Sequence, residues 1–410
     1  MSEVANTSET STPSLEDFRY KVRSFLDTHA VPTSEPAVEW SEDEMVAGCR
    51  RFFSDLSEAG LGGITYPVEY GGQNLDDRYH DVFNEELAKY QAPLVPAVIS
   101  HGMCLPVINN FGTTEQRERF QARNIRCDDL WCQMFSEPGA GSDVASLATR
   151  AVRDGDEWVL NGQKVWTSGA QYCDYGLCIA RTDPSQPKHR GLSMFIIDLS
   201  LPGVDVRPLR QNTGGAHFNE IYLTDVRLSS DCLVGTEGDG WNVVVAMLMY
   251  ERKEIGASGN PVMSARSSSA QLIAQAQQRG CNNDPVVRDS LADFYIRERI
   301  QDFIGMRIRQ SMEAGQTPGP ESSIAKLNTA LLTVQSADIA IAIAGAQGQA
   351  WDSDNDAGGD YSRSVVGAPG MGIAGGTNEV QRNVIGERVL GLPKEPDPYK
   401  GKPWESVPRS

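Results

Sequence analysis

The spacing of apolar residues changes twice along the chain, and this change limits the folds open to it. From Ser14 to residue 127 the spacing is helical, beginning with a stripe of Leu15, Phe18, Val22 and Phe25. Residues 128–237 instead carry short alternating runs between turn residues, a pattern typical of strands. Helical spacing returns over residues 238–395. The order predicts an α+β fold in which an all-α domain precedes a small antiparallel β-domain and a second helical domain.

The ends of the predicted domains carry their own signals. "SLED" at residues 14–17 has the form of a capped helix start, and Ser41 is the expected cap of the next helix. Residues 1–13 are polar and lack an apolar signal core, so we expect a disordered tail, no export and a cytoplasmic location. Residues 396–410 are rich in proline and are expected to be extended.

The charge of the chain excludes several classes of partner. The 410 residues include 37 Lys and Arg against 55 Asp and Glu, a formal net charge of −18. Such a field repels nucleic-acid backbones and anionic lipid surfaces, so we expect no nucleic acid and no membrane as partners. The longest apolar stretch contains Gln335 and Asp338 and is expected to fall short of a membrane span. The cysteines and histidines lack metal-ligand spacing, so we expect no metal site.

The stretch "QMFSEPGAGSD", residues 133–143, is a candidate binding loop. Gly139 and Gly141 would let a ligand approach backbone N–H groups, and Ser136 and Ser142 add hydroxyl groups. This composition suits an anionic or carbonyl-rich ligand such as a pyrophosphate or a flavin. A structural tight turn explains the same residues equally well.

The run "EWVLNGQKVWTSG" follows this loop and reads as strand. Its Asn161-Gly162 pair predicts a hairpin turn, which excludes the βαβ unit of a dinucleotide-binding fold. Trp166 and Ser168 are two residues apart, so both are expected on one face of a strand. An aromatic ring beside a hydroxyl can cover a planar cofactor. The alternative is that Trp166 belongs to the core.

The stretch "AMLMYERKEIG", residues 246–256, places charges directly after an apolar run. On a helix, Glu251 shares one face with Val244, Leu248, Ile255 and Ser258, because these residues are three or four apart. A carboxylate on that face is partly desolvated and becomes a stronger proton acceptor. Alternatively, Glu251 is buried as the ion-pair partner of Arg252 or of a neighbouring helix.

The stretch "GIAGGTNEVQRNVIGERVLGLP", residues 372–393, combines glycines with a helical pattern. Thr377 or Asn378 is expected to cap the helix and to leave N–H groups available to an anion. A routine helix cap without a ligand is the alternative.

Together these stretches resemble the acyl-CoA dehydrogenase family over about residues 14–395. The resemblance rests on "SEPGAGSD", "LNGQKVWTSG", "YER", "GPESSIAKLNTALLTVQSADIAI" and "GGTNEVQRNVIGERVLGLP", which occur in the family's order. It implies a helical domain at residues 14–127, a middle antiparallel β-barrel-like domain at 128–237 and a C-terminal four-helix bundle at 238–395. It also implies FAD between the β-domain and the bundle, and a homo-oligomer, either a dimer or a tetramer.

The resemblance assigns site residues by their positions in these motifs. The residues expected to contact FAD are Gln133, Phe135, Ser136, Gly141, Ser142, Trp166, Thr167, Ser168, Thr377, Asn378 and Glu379. The residues expected to hold an acyl-CoA substrate are Ser142, Arg252, Gly375 and Gly376.

The resemblance also bears on the catalytic base. Many family members carry it in a Tyr-Glu-Gly-Thr stretch, and Gly375 occupies the position of that Glu here. A subset uses a Glu on the first helix of the bundle, the place of Glu251. The resemblance therefore implies that Glu251 removes the α-proton while flavin N5 accepts the β-hydride, which yields the 2,3-enoyl-CoA. An electron-transferring flavoprotein is the implied electron acceptor.

Two departures from the family pattern leave alternatives open. Only Arg279-Gly280 remains of an Arg-x-x-Phe-Gly segment that contacts the neighbouring subunit's FAD. Ala342 and the sequence Gly345-Ala346-Gln347-Gly348 stand where family members supply a Gln near "GGNG". These departures leave open a non-catalytic partner subunit of a mixed assembly. A flavin-dependent monooxygenase on the same fold is a separate alternative, against which the retained Glu251 argues.

Overall fold

A computed structural model describes residues 12–36, 38–256, 267–314, 319–349 and 356–408, with the side chains at 252–256, 309, 312–313 and 356–360 excluded. Contacts divide the chain into two units, one of residues 1–97 with 114–130 and one of residues 98–113 with 131–410. The expected tail at residues 1–13 lies almost entirely outside the described residues.

Helices make up most of the chain before residue 130. They are α1 (Leu15–His29), α2 (Glu42–Glu58), α3 (Asp77–Leu87), α4 (Ala97–Ile99), α5 (Leu105–Phe111) and α6 (Thr114–Ile125). The short strands β1 (Val31–Pro32) and β2 (Tyr90–Gln91) pair antiparallel. The two serine caps are confirmed, because the Ser14 hydroxyl accepts from the Asp17 N–H and Ser41 forms a capping box with Glu44. The segment from α4 to α5 passes through a π-helical turn at Ser100–Cys104.

The first unit contains a buried carboxylate between α1 and α3. The Glu86 side chain is fully buried and accepts from Arg19 at 2.7 Å, Arg23 at 3.2 Å and Lys89 at 2.8 Å. Burial alone raises the pKa of Glu86, but the three cations outweigh it and lower the pKa to about 2. The carboxylate therefore stays ionised and ties the two helices together.

The middle of the chain forms one eight-stranded sheet. Its strands are β3 (Trp131–Met134), β4 (Arg150–Asp154), β5 (Glu157–Ser168), β6 (Tyr175–Arg181), β7 (Leu192–Asp198), β8 (Val204–Leu209), β9 (Phe218–Ser229) and β10 (Leu233–Val234). The order across the sheet is β10-β7-β6-β4-β5-β9-β8, with β3 also paired to β6. Most pairs are antiparallel, whereas β3–β6 and β4–β6 are parallel. One hydrophobic core cluster lies on one face of the sheet and contains Trp158, Leu160, Phe195, Ile197 and Ile221.

The predicted hairpin at Asn161-Gly162 is wrong. Strand β5 runs through both residues and pairs with β9 on either side of a bulge there. The hairpin instead joins β4 to β5 through Gly155, which has a φ of +63°. Gly162 is needed for a different reason, because a Cβ at that position would lie 2.6 Å from Cβ of Thr149.

The C-terminal helices form the rest of the second unit. They are α7 (Gly240–Gly256), α8 (Ser269–Gln278), α9 (Pro285–Glu313), α10 (Ser322–Ala344), α11 (Ala346–Gln349), α12 (Asp356–Gly367) and α13 (Asn378–Val384). The central helix α10 packs against α7, α8, α9, α12 and α13. By length and composition α10 would qualify as a membrane span, contrary to the sequence expectation, but half of its apolar window is buried within the fold.

The end of the chain returns to the sheet. The Trp404 indole donates to the Ser146 carbonyl at 3.3 Å, and its backbone N–H donates to the Gln186 carbonyl at 2.9 Å. Its ring lies 4.2 Å from the guanidinium of Arg181, which is buried and donates to the carbonyls of Ala145 and Leu147. The expected extended tail is thus anchored by a stacked tryptophan.

Candidate active site

The loop at residues 133–143 rests on a buried ion pair. Nζ of Lys164 lies 2.8 Å from the Glu137 carboxylate and also donates to the Phe135 carbonyl at 3.1 Å. The same carboxylate accepts from the backbone N–H groups of Ala148 at 2.6 Å and Thr149 at 2.9 Å. Burial raises the pKa of Glu137, but the charge of Lys164 and these hydrogen bonds outweigh it and lower the pKa. The pair ties the first half of the loop to β5 and to the backbone of Ala148 and Thr149.

The tip of this loop is open. Glu137 and Ala140 exchange two backbone hydrogen bonds of 3.0 Å, which makes the tight turn that the sequence allowed. Beyond the turn, Ser142 is exposed, and a Cβ added to Gly139 or Gly141 would meet no atom within 4 Å. The turn therefore presents bare backbone to an incoming ligand.

Trp166 projects from the sheet rather than into the core. Its side chain is 61% exposed and its φ is +60°, at a second bulge between Lys164 and Thr167. A left-handed backbone is uncommon for an aromatic residue and costs about 1 kcal/mol or more. Thr167 points the other way and is buried, and its hydroxyl has no hydrogen-bond partner among the described residues. The core alternative for Trp166 is wrong, because the residue is exposed.

Glu251 continues the buried face of α7. That face comprises Gly240, Val244 and Met247, and Glu251 follows one turn later, half-buried. Gly240 allows α7 to lie against β7, because a Cβ there would come within 2.6 Å of Cα of Ser193. The predicted helix face is confirmed at Val244, Leu248 and Glu251, which are all at least partly buried. Ser258 and the side chains of Arg252 and Ile255 lie outside the described residues.

The Gly375–Gly376 turn is held from two sides. Both residues are left-handed, with φ of +64° and +92°. Gln381 donates to the Gly375 carbonyl at 2.8 Å, and Lys326 donates to the Gly376 carbonyl at 2.6 Å. Thr377 then caps α13 by accepting from the Val380 N–H at 3.2 Å. The predicted cap is therefore Thr377.

The predicted site residues fall into two clusters within the second unit. The first joins the loop 133–142 to Trp166, Thr167 and Ser168 through Lys164 and through the Val165 N–H, which donates to the Ser136 carbonyl at 2.9 Å. The second is the Gly375–Gly376 turn, which Lys326 and Gln381 hold, while α7 with Glu251 and α13 with Glu379 pack against the same helix, α10.

Comparison with known proteins decides the family. Family models described as the N-terminal, middle and C-terminal domains of acyl-CoA dehydrogenase match residues 12–127, 132–226 and 238–390. Acyl-CoA dehydrogenase IpdE1 of Mycobacterium tuberculosis is 37% identical over 361 residues, which cover 86% of this chain and 90% of that protein. The chain belongs to the acyl-CoA dehydrogenase family. It is an oxidoreductase that dehydrogenates acyl-CoA thioesters.

Solved acyl-CoA dehydrogenases share this fold. The steroid acyl-CoA dehydrogenase Tcur3481-Tcur3483 superimposes with a TM-score of 0.77 at 26% identity and covers 94% of this chain and 99% of that one. The ChsE4-ChsE5 complex of Mycobacterium tuberculosis gives a TM-score of 0.74 at 28% identity and covers 94% and 100%. The α–β–α fold class predicted from the sequence is confirmed.

Two residues that hold the Gly375–Gly376 turn of this acyl-CoA dehydrogenase were not predicted from the sequence. Lys326 and Gln381 are both buried, and they hold the carbonyls of the glycine turn. The sequence contains a signal for Lys326, because it is spaced three or four residues from small and apolar residues of the same helix. The structure buries this stripe, which consists of Ser323, Lys326, Ala330, Thr333 and Ala337. Gln381 has no such signal, since its role depends on the turn that precedes its helix.

The family departure at Arg279 has a structural counterpart. Its guanidinium donates to the Ala344 carbonyl at 3.2 Å and to the Gln347 side chain at 2.9 Å. The two departures noted in the sequence therefore lie together at the C-terminal end of α10, where Arg279 is hydrogen-bonded to Gln347.

Proposed function

We propose that this acyl-CoA dehydrogenase binds FAD and uses Glu251 as the base that removes the α-proton of the acyl-CoA. The observation that carries the proposal is the position of Glu251, which extends the buried face of α7 while Gly375 leaves the alternative base position without a carboxylate. A half-buried carboxylate on an apolar face is a competent base, since desolvation favours its taking up a proton.

The residues present fit a flavin. Gly139 and Gly141 offer uncovered backbone, and Trp166 offers an exposed aromatic face on a strained backbone. Thr167 Oγ1 and Asn378 Oδ1 are buried atoms for which the described residues supply no hydrogen-bond partner. Unpaired buried polar atoms are costly, so two of them at predicted cofactor contacts support a bound polar ring system. A family neighbour, a glutaryl-CoA dehydrogenase of Mycobacterium smegmatis, was solved in complex with FADH2.

The chain's own residues divide the work of the reaction. Bound FAD supplies the acceptor for the hydride that leaves the β-carbon. Glu251 takes the α-proton, Ser142 and Arg252 hold the acyl-CoA, and the Gly375–Gly376 turn lets the thioester come close to the backbone. The loop at 133–142 and the strand residues 166–168 hold the cofactor in place.

We further propose that the chain forms a homo-oligomer through α9 and passes electrons to an electron-transferring flavoprotein in the cytoplasm. Ile296, Ile300 and Phe303 of α9 share one face and are 57%, 47% and 61% exposed, which is typical of a covered interface. The eight cysteines, which all lie within the described residues, form no disulfide there, in keeping with a reducing compartment. The mass in solution tests the assembly, and Phe303→Asp is expected to lower it. If the chain stays monomeric until a second acyl-CoA dehydrogenase chain is added, the homo-oligomer is rejected in favour of a mixed assembly. The ChsE4-ChsE5 complex is named as an assembly of that kind.

The base assignment is tested by anaerobic bleaching. Glu251→Gln is expected to keep the yellow flavin spectrum and to slow its reduction by an acyl-CoA about 10³-fold, because a positioned base contributes about 10²–10⁴-fold. Glu321→Gln, an exposed carboxylate at the start of α10, is the matched control. The compounds to be assayed are straight, branched and steroid-side-chain acyl-CoA thioesters. The last are included because a structural neighbour carries the name steroid acyl-CoA dehydrogenase. Normal reduction in Glu251→Gln would remove the base from the proposal.

A further inference from the structure

The C-terminal tail, residues 396–408, docks on the loop between β6 and β7 through its main chain. The backbone N–H of Trp404 donates to the Gln186 carbonyl at 2.9 Å, and that of Glu405 donates to the Pro184 carbonyl at 3.1 Å. These bonds fix the position of the Trp404 side chain, which is 8% exposed. An aromatic residue this close to the end of a chain is therefore part of the fold.

The indole of Trp404 covers a buried arginine. The guanidinium carbon of Arg181 lies 4.2 Å from the ring centroid, and the residue is 3% exposed. The same guanidinium donates to the carbonyls of Ala145 at 2.7 Å, Leu147 at 3.2 Å and Lys188 at 3.3 Å. A cation on an aromatic face is stabilised more strongly when water is excluded. One side chain beneath the tail thus joins the β6–β7 loop to the segment that follows the candidate flavin loop.

Trp404 also contacts that segment directly. Its Nε1 donates to the Ser146 carbonyl at 3.3 Å. The Ser146 hydroxyl donates to the Asp143 carboxylate at 2.5 Å, and the Ser146 N–H donates to the Asp143 carbonyl at 2.9 Å. Asp143 directly follows Ser142, which is exposed and is expected to hold both FAD and acyl-CoA. A continuous set of contacts therefore runs from the tail to the end of the candidate flavin loop.

We propose that Trp404 is a positioning residue for acyl-CoA binding. It acts through Arg181 and Ser146 and keeps residues 143–147 in the conformation that receives the substrate. The inference rests on the proposed role of the neighbouring Ser142 in holding acyl-CoA. When a ligand binds only one conformation, its apparent dissociation constant rises as the population of that conformation falls. The proposed base lies on a different element, α7, so the tail is expected to govern substrate affinity and to leave the limiting rate of flavin reduction unchanged.

Substitutions in the full-length protein separate the two contacts of the indole. Trp404→Ala removes both the ring and the donor, whereas Trp404→Phe keeps a ring for Arg181 and loses the donor to the Ser146 carbonyl. Lys402→Ala is the matched control within the tail, because that side chain is exposed. Phe52→Leu is the control for lost stability, because it leaves part of a buried site empty in the core of the first unit.

Affinity is measured without turnover by equilibrium dialysis with coenzyme A itself as the probe. We expect the dissociation constant to rise about tenfold in Trp404→Ala, which corresponds to about 1.4 kcal/mol. In Trp404→Phe we expect a rise of about threefold, because the variant loses a single hydrogen bond. The KM of the acyl-CoA that best reduces the flavin is expected to rise by the same factors, while the limiting rate stays within about twofold.

Hydrogen exchange reports the order of the segment itself. The amides of residues 143–147 are expected to exchange faster in Trp404→Ala, and saturating coenzyme A is expected to slow them again. Lys402→Ala and Phe52→Leu are expected to keep the parent values of affinity, KM and exchange at this segment.

The outcomes distinguish this inference from the proposed function. Unchanged coenzyme A affinity in Trp404→Ala overturns the inference, and so does unchanged exchange at residues 143–147. An equal loss of affinity in Phe52→Leu also overturns it, because lost stability would then explain the effect. If Trp404→Ala does not fold, Trp404→Phe decides, and unchanged affinity in that variant rejects the inference.

The parent protein and the base variant test the proposed function separately. A parent protein that takes up neither FAD nor coenzyme A rejects the proposed function, and the inference with it. Normal flavin reduction in Glu251→Gln rejects the base assignment alone and leaves the role of Trp404 intact.

Discussion

The buried ion pair beneath the candidate flavin loop can be broken with little change in shape by Glu137→Gln. The glutamine keeps the length of the side chain but has one acceptor oxygen in place of two. Three donors converge on that position: Nζ of Lys164 and the N–H groups of Ala148 and Thr149. The amide nitrogen of a glutamine must face at least one of these donors, and Lys164 is left as a buried charge without its counter-ion.

The expected cost follows from the burial of both partners. Lys164 is 0% exposed and Glu137 is 8% exposed, so solvent cannot replace the lost carboxylate. Removal of one member of a buried pair typically costs about 3–5 kcal/mol. A whole domain is stable by only about 5–15 kcal/mol, so the loss is large enough to loosen the loop.

Hydrogen exchange measures this loosening at the residues concerned. We expect the amides of Ala148 and Thr149 to exchange about 10²–10⁴-fold faster in Glu137→Gln, because each 1.4 kcal/mol changes an equilibrium tenfold. Asp143→Asn is the matched control in the same loop, since the Asp143–Lys188 pair is partly exposed and worth about 1 kcal/mol at most. The double variant Glu137→Gln with Lys164→Met is expected to recover most of the loss, because it no longer buries a lone charge. Exchange within threefold of the parent protein in Glu137→Gln would refute the reasoning.

Further predictions concern Glu86, Trp404 and Trp166. The folded pKa of Glu86 lies below its unfolded value, so its contribution is complete above about pH 4.5 and is lost as the pH falls towards 2. Allowing for the exposure of its partners, we expect this contribution to be about 1–2 kcal/mol. It is measured as the part of the pH dependence of the urea midpoint that is lost in Glu86→Gln. Trp404→Ala is expected to release the C-terminal tail, since loss of a buried tryptophan costs about 3–5 kcal/mol, and limited proteolysis near Lys402 measures the release. Trp166→Ala is expected to weaken FAD binding about tenfold in equilibrium dialysis without lowering stability, because the ring is exposed.

Local signals in the sequence predicted the elements that depend on local interactions. Ser14, Ser41 and Thr377 cap the helices expected, because a cap is decided by a side chain and a backbone N–H two or three residues away. The inner face of α7 was also predictable, since a helix of known period fixes which residues share a side. The half-buried position of Glu251 follows from the same spacing.

Features set by distant residues were not predictable from the sequence. Asn161-Gly162 has the composition of a turn, but Thr149 approaches Gly162 so closely that the glycine serves a strand bulge. Trp166 owes its exposure to a second bulge against β9, a strand that begins 52 residues later. The ion pair of Lys164 with Glu137 depends on the register of β5 beside the loop. In each case the deciding neighbour is supplied by tertiary pairing.

The parallel pairing of β3 with β6 also governs how the sheet can assemble. Parallel strands cannot be joined by a tight turn, and here the connection between them contains the whole β4–β5 hairpin. A ribosome must therefore release at least residues 131–181 before β3 gains its neighbour, and β5 must wait longer still for β9. Sequence-distant pairing slows folding, so we expect refolding from urea to show sheet formation as a late cooperative phase. Until then β3, the strand that leads into the candidate flavin loop, lacks its partner β6.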